Sequence, residues 1–392
     1  MKDVLSQFFK DFTSSEKNAG LVLIGCTILS LVLSNTAFSE SYQHLWHSSL
    51  GFSIAGINMN LSIEHWINDG LMTIFFLMVG LEIERELYDG ELHPLKKAVL
   101  PIGGAIGGML MPALIYSIFN YNTPAASGFG IPMGTDIAFA LAVMSLAGNR
   151  VPVAIKVILT AIAIIDDLGS VLVIAFFYGS DIRLAFLGAA LGVFAILLLL
   201  NRLKVHTISI YILLGIVMWF LMMQSGIHPT LAGVMLAFTI PFNKDPQQSP
   251  SHRLQHRLHL PVAYLILPLF TLANTAIVLK PEFISGLGES HALGILTGLL
   301  IGKPLGITLV IFLITRLRFT GLPEGIRFYD IAAMGFIAGI GFTMSVFITQ
   351  LAFSDELHIQ SSKMMILIAS CLAGLTGFIL FRLRKQANTL IN

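Results

Sequence analysis

The sequence predicts an all-α polytopic membrane protein of about twelve transmembrane helices. They form an inverted-repeat bundle in which two broken helices cross at the midplane, with a short outer β-hairpin. Three observations lead there. Of the 392 residues, 55% are hydrophobic and 11% charged, with a mean hydropathy of +0.82; average soluble chains carry about 25% charged residues. Apolar runs long enough to cross a bilayer recur along the whole chain. Two of those runs are interrupted in matching places, one by glycine and proline and the other by glycine. A net charge of +1 argues against a nucleic-acid partner.

The stretch Met1 to Lys17 is polar and has no cleavable signal pattern, so the first apolar run is read as a retained span. The spans are expected at approximately 18–35, 64–86, 96–118, 125–147, 153–178, 182–201, 207–223, 227–241, 258–279, 291–315, 328–352 and 360–382. No stretch outside them is long enough for a soluble domain, so residues 1–392 read as one integral membrane domain. Its core bundle is expected at about 95–180 and 290–385, and a helix panel at about 18–90 and 182–280. Cys26 and Cys371 both fall inside apolar spans, which favours free thiols over a disulfide or a metal site.

All but four of the 23 lysines and arginines lie on the side of the two termini. Three of those four are on the other side, and Lys303 is mid-span. The positive-inside rule then makes both termini of this multi-pass chain cytoplasmic. On the outer side, Leu50 to Ile54 and Ile57 to Met59 alternate apolar with small or polar residues about a turn at Ala55-Gly56, a hairpin signal. An isolated hairpin is barely stable in water. It pairs either with a second protomer, giving a homodimer through the hairpin, or with its own chain.

The fourth span is interrupted by Gly130-Ile131-Pro132-Met133-Gly134-Thr135-Asp136. Proline removes a donor and clashes with the preceding turn, and glycine favours unwinding. The eleventh contains Gly335, Gly339 and Gly341, weakest at Gly339-Ile340-Gly341. Bare backbone at that depth is tolerated only within protein or beside a water-filled cavity. Each break exposes a positive and a negative half-helix end, for which Asp136 and Lys303 respectively are candidate counter-charges. The breaks lie mid-way through spans three to five and ten to twelve, seven spans apart, so the two triplets run in opposite directions. Paired interruptions of this kind point to an inverted-repeat carrier. Glycine abundance alone is the bland reading, and Pro132 and Asp136 weigh against it for the fourth span. In the third span, Gly103-Gly104-Ala105-Ile106-Gly107-Gly108 spaces small residues for close helix packing and carries no chemistry.

The strongest functional signal is Ile164-Ile165-Asp166-Asp167-Leu168-Gly169. About ten mostly apolar residues flank it on each side, which puts both carboxylates near the bilayer midplane. Even on a lenient insertion scale a charge there costs about 2.5–3.5 kcal/mol, so the pair is the default site of function. Two neighbouring carboxylates in a low dielectric cannot both ionise cheaply, which suits them to carrying a proton. The bland reading, a structural ion pair, is weakened because Lys303 is the one basic residue at that depth; for Lys303 itself a structural role stands more strongly.

Smaller signals surround these. Asp69 lies one turn inside the second span, facing an outer funnel or the membrane interface. Asp330 opens the eleventh span, where a negative group complements the helix dipole. His252, His256 and His259 share one helix face, and histidine titrates near neutral pH, so His256 is a candidate pH sensor against the simpler reading of a solvated face. His228, before Pro229, is open between sensor and cap.

Four motifs, Gly134-Thr135-Asp136-Ile137-Ala138-Phe139-Ala140, Ile165-Asp166-Asp167-Leu168-Gly169, Leu300-Ile301-Gly302-Lys303-Pro304-Leu305-Gly306 and Gly339-Ile340-Gly341-Phe342-Thr343-Met344-Ser345, resemble those of the NhaA family of bacterial sodium/proton antiporters. The resemblance runs from the first span to the last. That family is itself a type example of the paired-break rule, so the two fold arguments are not independent. The resemblance implies exchange of Na+ or Li+ for H+ across a bacterial inner membrane, with no cofactor and membrane lipid as surroundings. It implies that Asp166 and Asp167 bind the cation and protons, that Lys303 contacts the first of them, and that Thr135 and Asp136 sit at the crossing of the broken helices. It places Glu82, Arg85 and Glu86 in a cytoplasmic region tied to pH activation. Glu84 stands where relatives often have lysine, and Gln255 where a glutamate is expected. Hard cations want oxygen ligands, which carboxylates, the Thr135 hydroxyl and unwound carbonyls supply.

Three rivals remain. A sodium-coupled symporter of an organic solute needs cationic or amide groups in its pocket, and Lys303 alone is available at depth. An intramembrane aspartyl protease needs two facing aspartates sharing a proton; Asp167 and Lys303 would oppose such a dyad between Asp136 and Asp166. A passive channel has little use for buried titratable pairs.

Overall fold

The computed structural model describes residues 2–54, 57–90, 95–179, 182–245 and 247–384. Among them, eight helices are long and apolar enough to cross a membrane, and eleven spans result if each of three bent helix pairs counts as one. The expected span at 227–241 is the exception. Its helix, Leu231–Ala237, has seven residues, or about 10 Å, a third of a bilayer core. Gly226, left-handed at φ 84°, ends the helix before it, and Pro241 stops any continuation after it. A hydropathy window counts apolar residues and is blind to these stops.

Contacts divide the chain into two compact units. The first comprises Met1–Leu21, Lys96–Asp166 and Glu282–Asn392; the second, Val22–Leu95 and Asp167–Pro281. The division falls between the two adjacent aspartates, within the continuous helix Val153–Phe177.

In the first unit, Leu100, Ala105, Met144, Ile155, Leu159, Ile162, Ile307, Ile311, Ile331, Met334 and Ile337 belong to one buried apolar cluster. Helices approach to backbone contact here. A side chain at Gly107 would collide with the Gly306 carbonyl, and one at Gly306 with the Gly107 carbonyl. The glycine-rich third span is therefore a packing surface, as its spacing suggests. Following it in the same unit, a widened helical turn at Gly298–Gly302 precedes the helix Lys303–Arg316. Pro304 would clash with the carbonyl four residues back in a regular helix, and the widened turn relieves that clash. The helix Glu356–Leu383 is capped by Asp355, which accepts from the His358 amide at 3.1 Å. This bond and one from the His358 ring hold the Asp355 carboxyl below the usual carboxylate range.

In the second unit, strands β1 (Ser49–Ile54) and β2 (Ile57–Ser62) pair antiparallel from Ser49↔Ser62 to Ile54↔Ile57; the expected turn residues 55 and 56 lie outside the described residues. The Trp66 indole donates to the Leu50 carbonyl at 2.9 Å, tying the hairpin to the helix that follows it. The short helix Leu231–Ala237 is buried against the helix Met72–Asp89: a side chain at Gly80 would strike Ala237, and one at Gly233 the Thr73 carbonyl. The helices Leu184–Arg202 and Ile208–Ser225 are strongly apolar yet only 11% and 28% buried, the pattern of surfaces that meet lipid. The two cysteines are free thiols.

Candidate functional site

Both interrupted spans are broken where the sequence weakens them. The first runs as a tight 3-10 helix Pro124–Met133, three non-helical residues Gly134 to Asp136, and the α-helix Ile137–Leu146. The second runs as Phe328–Ala338, a gap at Gly339 to Gly341, and Phe342–Ala352. Each pair bends by 49°.

The bare groups at one break are satisfied by the other. The Asp136 amide donates to the Ile340 carbonyl at 2.7 Å. The Thr135 hydroxyl lies 3.1 Å from the Ala338 carbonyl, and Ser345 donates to the Ile131 carbonyl at 2.7 Å. Asp136 does more. Its Oδ1 accepts from the Phe139 amide and its Oδ2 from the Thr343 amide, both at 3.1 Å. Phe139 and Thr343 open the two C-terminal half-helices, so one carboxylate caps both positive ends. Gly339 is required by proximity, since a side chain there would lie 2.5 Å from the Leu299 carbonyl.

Beside this crossing, Thr135, Asp166 and Lys303 form one buried group at 1%, 0% and 0% exposure. Lys303 Nζ donates to Asp166 Oδ2 at 2.9 Å and to the Thr135 hydroxyl oxygen. The Thr135 hydroxyl donates to the same Asp166 Oδ2 at 2.8 Å. Both donors therefore converge on one carboxylate oxygen. The other, Asp166 Oδ1, is buried and accepts no hydrogen bond among the described residues. It faces Gly108, where even a methyl group would come within 3.9 Å. Asp167 is buried too, at 3% exposure, and follows about 100° further round the same helix.

The remaining candidates fall into separate groups. Arg85 Nη2 lies 2.8 Å from Glu86 and 3.7 Å from Glu82. His228 Nε2 lies 3.5 Å from Asp69 Oδ1, and its Nδ1 is 2.7 Å from the Thr230 hydroxyl. His256 is exposed on the helix Pro250–Pro261.

Residues 10–381 match the family described as Na+/H+ antiporter 1. The chain belongs to that family. It is 52% identical over 374 residues to the Na+/H+ antiporter NhaA of Flavobacterium psychrophilum, covering 95% of each chain. It is also 52% identical over 379 residues to the Na+/H+ antiporter NhaA of Dechloromonas aromatica, covering 96% of this chain and 95% of that one. A solved structure, the sodium proton antiporter MjNhaP1 from Methanocaldococcus jannaschii at pH 8, aligns with a TM-score of 0.48 at 16% identity, over 96% of this chain and 95% of that one.

In this antiporter family member, several contacts escape sequence reasoning. Glu84 is buried and accepts from the Ser251 hydroxyl at 2.7 Å. Asp330 accepts from the Arg327 amide at 3.0 Å, as a dipole-facing residue should, and also holds Arg384 at 2.6 and 3.3 Å. Glu289, His291 and His358 meet although His358 lies far along the chain. A buried acid in an apolar run signals the need for a partner but does not say which one.

Proposed function

We propose that this chain exchanges Na+, or Li+, for H+ across the bacterial inner membrane, with Asp166 and Asp167 as the groups for which cation and protons compete. The observation that carries the reading is Asp166 itself. One oxygen is occupied by Lys303 and Thr135, and the other is buried and accepts no hydrogen bond among the described residues. A carboxylate oxygen left in that state is costly, and a proton or a hard cation relieves it. Thr135 and the carbonyls freed at the breaks supply further oxygens. Asp136 supports the site by holding both half-helices.

Occupancy by protons excludes Na+, and the reverse, and alternating access carries whichever is bound. If two protons leave for one Na+, net charge crosses and the membrane potential drives exchange. Lys303 offers a second proton ledger, releasing Asp166 and losing its own proton as Na+ binds. Charge per turnover in Lys303→Gln decides between them; an unchanged ratio sinks the lysine version.

The same reading assigns exchange to the bundle at about 95–180 and 290–385, with a separate helix panel at about 18–90 and 182–280. It puts both termini in the cytoplasm, where the lysines and arginines gather. It assigns pH response to Glu82, Arg85 and Glu86, with His228 and His256. It makes the hairpin a homodimer contact, testable by cross-linking single cysteines placed in β2.

The test is Na+-induced proton movement in proteoliposomes, scanned over pH, with Asp167→Asn alongside. Exchange that the variant loses supports the activity and its site. No response at any pH rejects antiport, and a response that survives the substitution rejects the assigned carboxylate.

A further inference from the structure

A second polar cluster lies where two helices of the first unit begin. Glu289 precedes the helix Ser290–Thr297, His291 is on its first turn, and His358 is on the first turn of Glu356–Leu383. One ligand-type atom from each residue lies within 4.8 Å of the other two. His291 is 1% exposed and His358 25% by side chain, and Glu289 is the most exposed member at 47%.

The outer hydrogen bonds set the tautomers. Ser361 donates its one hydroxyl proton to the Leu357 carbonyl at 2.6 Å. It therefore receives a proton from His291 Nε2, 2.8 Å away, and His291 Nδ1 is left as a lone pair. Asp355 Oδ2 lies 2.7 Å from His358 Nδ1 and accepts a hydrogen bond from its N–H, which leaves Nε2 of the neutral His358 ring with the lone pair. Two consequences follow. His291 Nδ1 faces Glu289 Oε2 at 3.4 Å, acceptor against acceptor, a gap that calls for a cation. Each imidazole also has its far nitrogen held by an oxygen acceptor, the arrangement that orients metal-ligating histidines.

We propose that Glu289, His291 and His358 bind one transition-metal dication of the zinc class. Two imidazoles and a carboxylate favour such an ion over Mg2+ or Ca2+, which take oxygen shells. Bond lengths near 2.0–2.2 Å put tetrahedral ligands about 3.3–3.6 Å apart. The His291–Glu289 pair already stands at 3.4 Å, and the exposed Glu289 and half-buried His358 close the rest. Three protein ligands leave a fourth position to water, as in exchangeable sites.

The ion would also act as a brake, a part of the proposal that rests on the antiport reading. Phe353, the residue that ends the half-helix Phe342–Ala352 of the second broken span, packs its ring 5.5 Å from His358 and 6.1 Å from His291. Fixing both imidazoles fixes the end of that half-helix.

The experiment uses the full-length untagged protein, stripped of metal, in detergent. Calorimetric titration with Zn2+ should show one ion per chain, with Mg2+ giving none, and Co2+ should give visible bands of tetrahedral type. Glu289→Gln and His358→Gln should each weaken Zn2+ by at least about tenfold, and Asp355→Asn by about tenfold through the orientation of His358. His358→Gln and Glu289→Gln sit at partly exposed positions, and unchanged elution as a single species shows that they fold. Absent saturable binding, or affinity unaltered in both variants, overturns the site. Loss in His256→Gln instead overturns it in favour of the histidine row His252, His256 and His259. In proteoliposomes Zn2+ should slow Na+-driven proton movement, with relief by chelation, and each variant should lose that sensitivity relative to its own metal-free rate. Binding without slowing overturns the brake alone, whereas absent exchange before any metal is added bears on the antiport reading and not on the site.

Discussion

At the first break the chain supplies side chains: Thr135 reaches Asp166, and Asp136 caps two helices. At the second it supplies mainly backbone: the Ile340 carbonyl accepts and the Thr343 amide donates, with the Ser345 hydroxyl reaching back to Ile131. Both pairs bend by the same 49°, so the bend does not distinguish them. The difference is in what each break gives up to water or ion. A glycine-built break lets another strand of backbone come close, and Gly339 does so against Leu299. A break built on Thr and Asp places a carboxylate and a hydroxyl within its three non-helical residues, where the three of the glycine-built partner have neither. The two halves of the crossing are alike in shape and complementary in chemistry.

Substitutions at each break separate these roles, and the largest effect belongs to the side-chain group. Lys303→Gln leaves Asp166 buried without its cation and should destabilise the protein by about 3–5 kcal/mol. Thermal unfolding in detergent reads this, and adding Asp166→Asn should recover much of the loss. A double variant no better than the single would mean that the two residues are not energetically coupled.

Asp136→Ala comes next. It uncaps two half-helices at once, each worth about 1–2 kcal/mol, while Asp136→Asn should retain a good part of the capping. Equal losses for the alanine and asparagine variants would argue that charge against the dipoles matters more than the hydrogen bonds. At the backbone-built break, Gly339→Ala forces a methyl group against the Leu299 carbonyl and should cost about 1–3 kcal/mol by overpacking. Gly288→Ala, which meets open space, is its matched control. The smallest effect is Ser345→Ala, which removes one bond to Ile131 and should cost about 1 kcal/mol. A loss there as large as at Asp136 would erase the asymmetry between the breaks.

The breaks are legible in the sequence because Pro132 and paired glycines have local effects that any helix must answer. The aspartate pair is legible because charge inside an apolar run has no cheap explanation. What is not legible is pairing at a distance. Asp136 reads as a counter-charge for its own break, yet half of its work is at Thr343, 207 residues away. Asp69 reads as facing a funnel or the interface and His228 as a sensor or a cap, each by itself, and the structure puts them 3.5 Å apart. Glu289, His291 and His358 carry no spacing that marks a site, because their convergence is made by the start of one helix meeting the start of another. The eighth span misleads for a different reason: its composition is apolar because it is buried inside protein, with Gly233 and Ala237 against the neighbouring helix.

The shared cap at Asp136 has a kinematic consequence. Because one carboxylate holds the leading ends of two helices, neither can swing without dragging the other or surrendering a hydrogen bond. The shared carboxylate is a pin common to both half-helices. A stroke that keeps both bonds carries the two half-helices as one lever, with the fulcrum at Asp136.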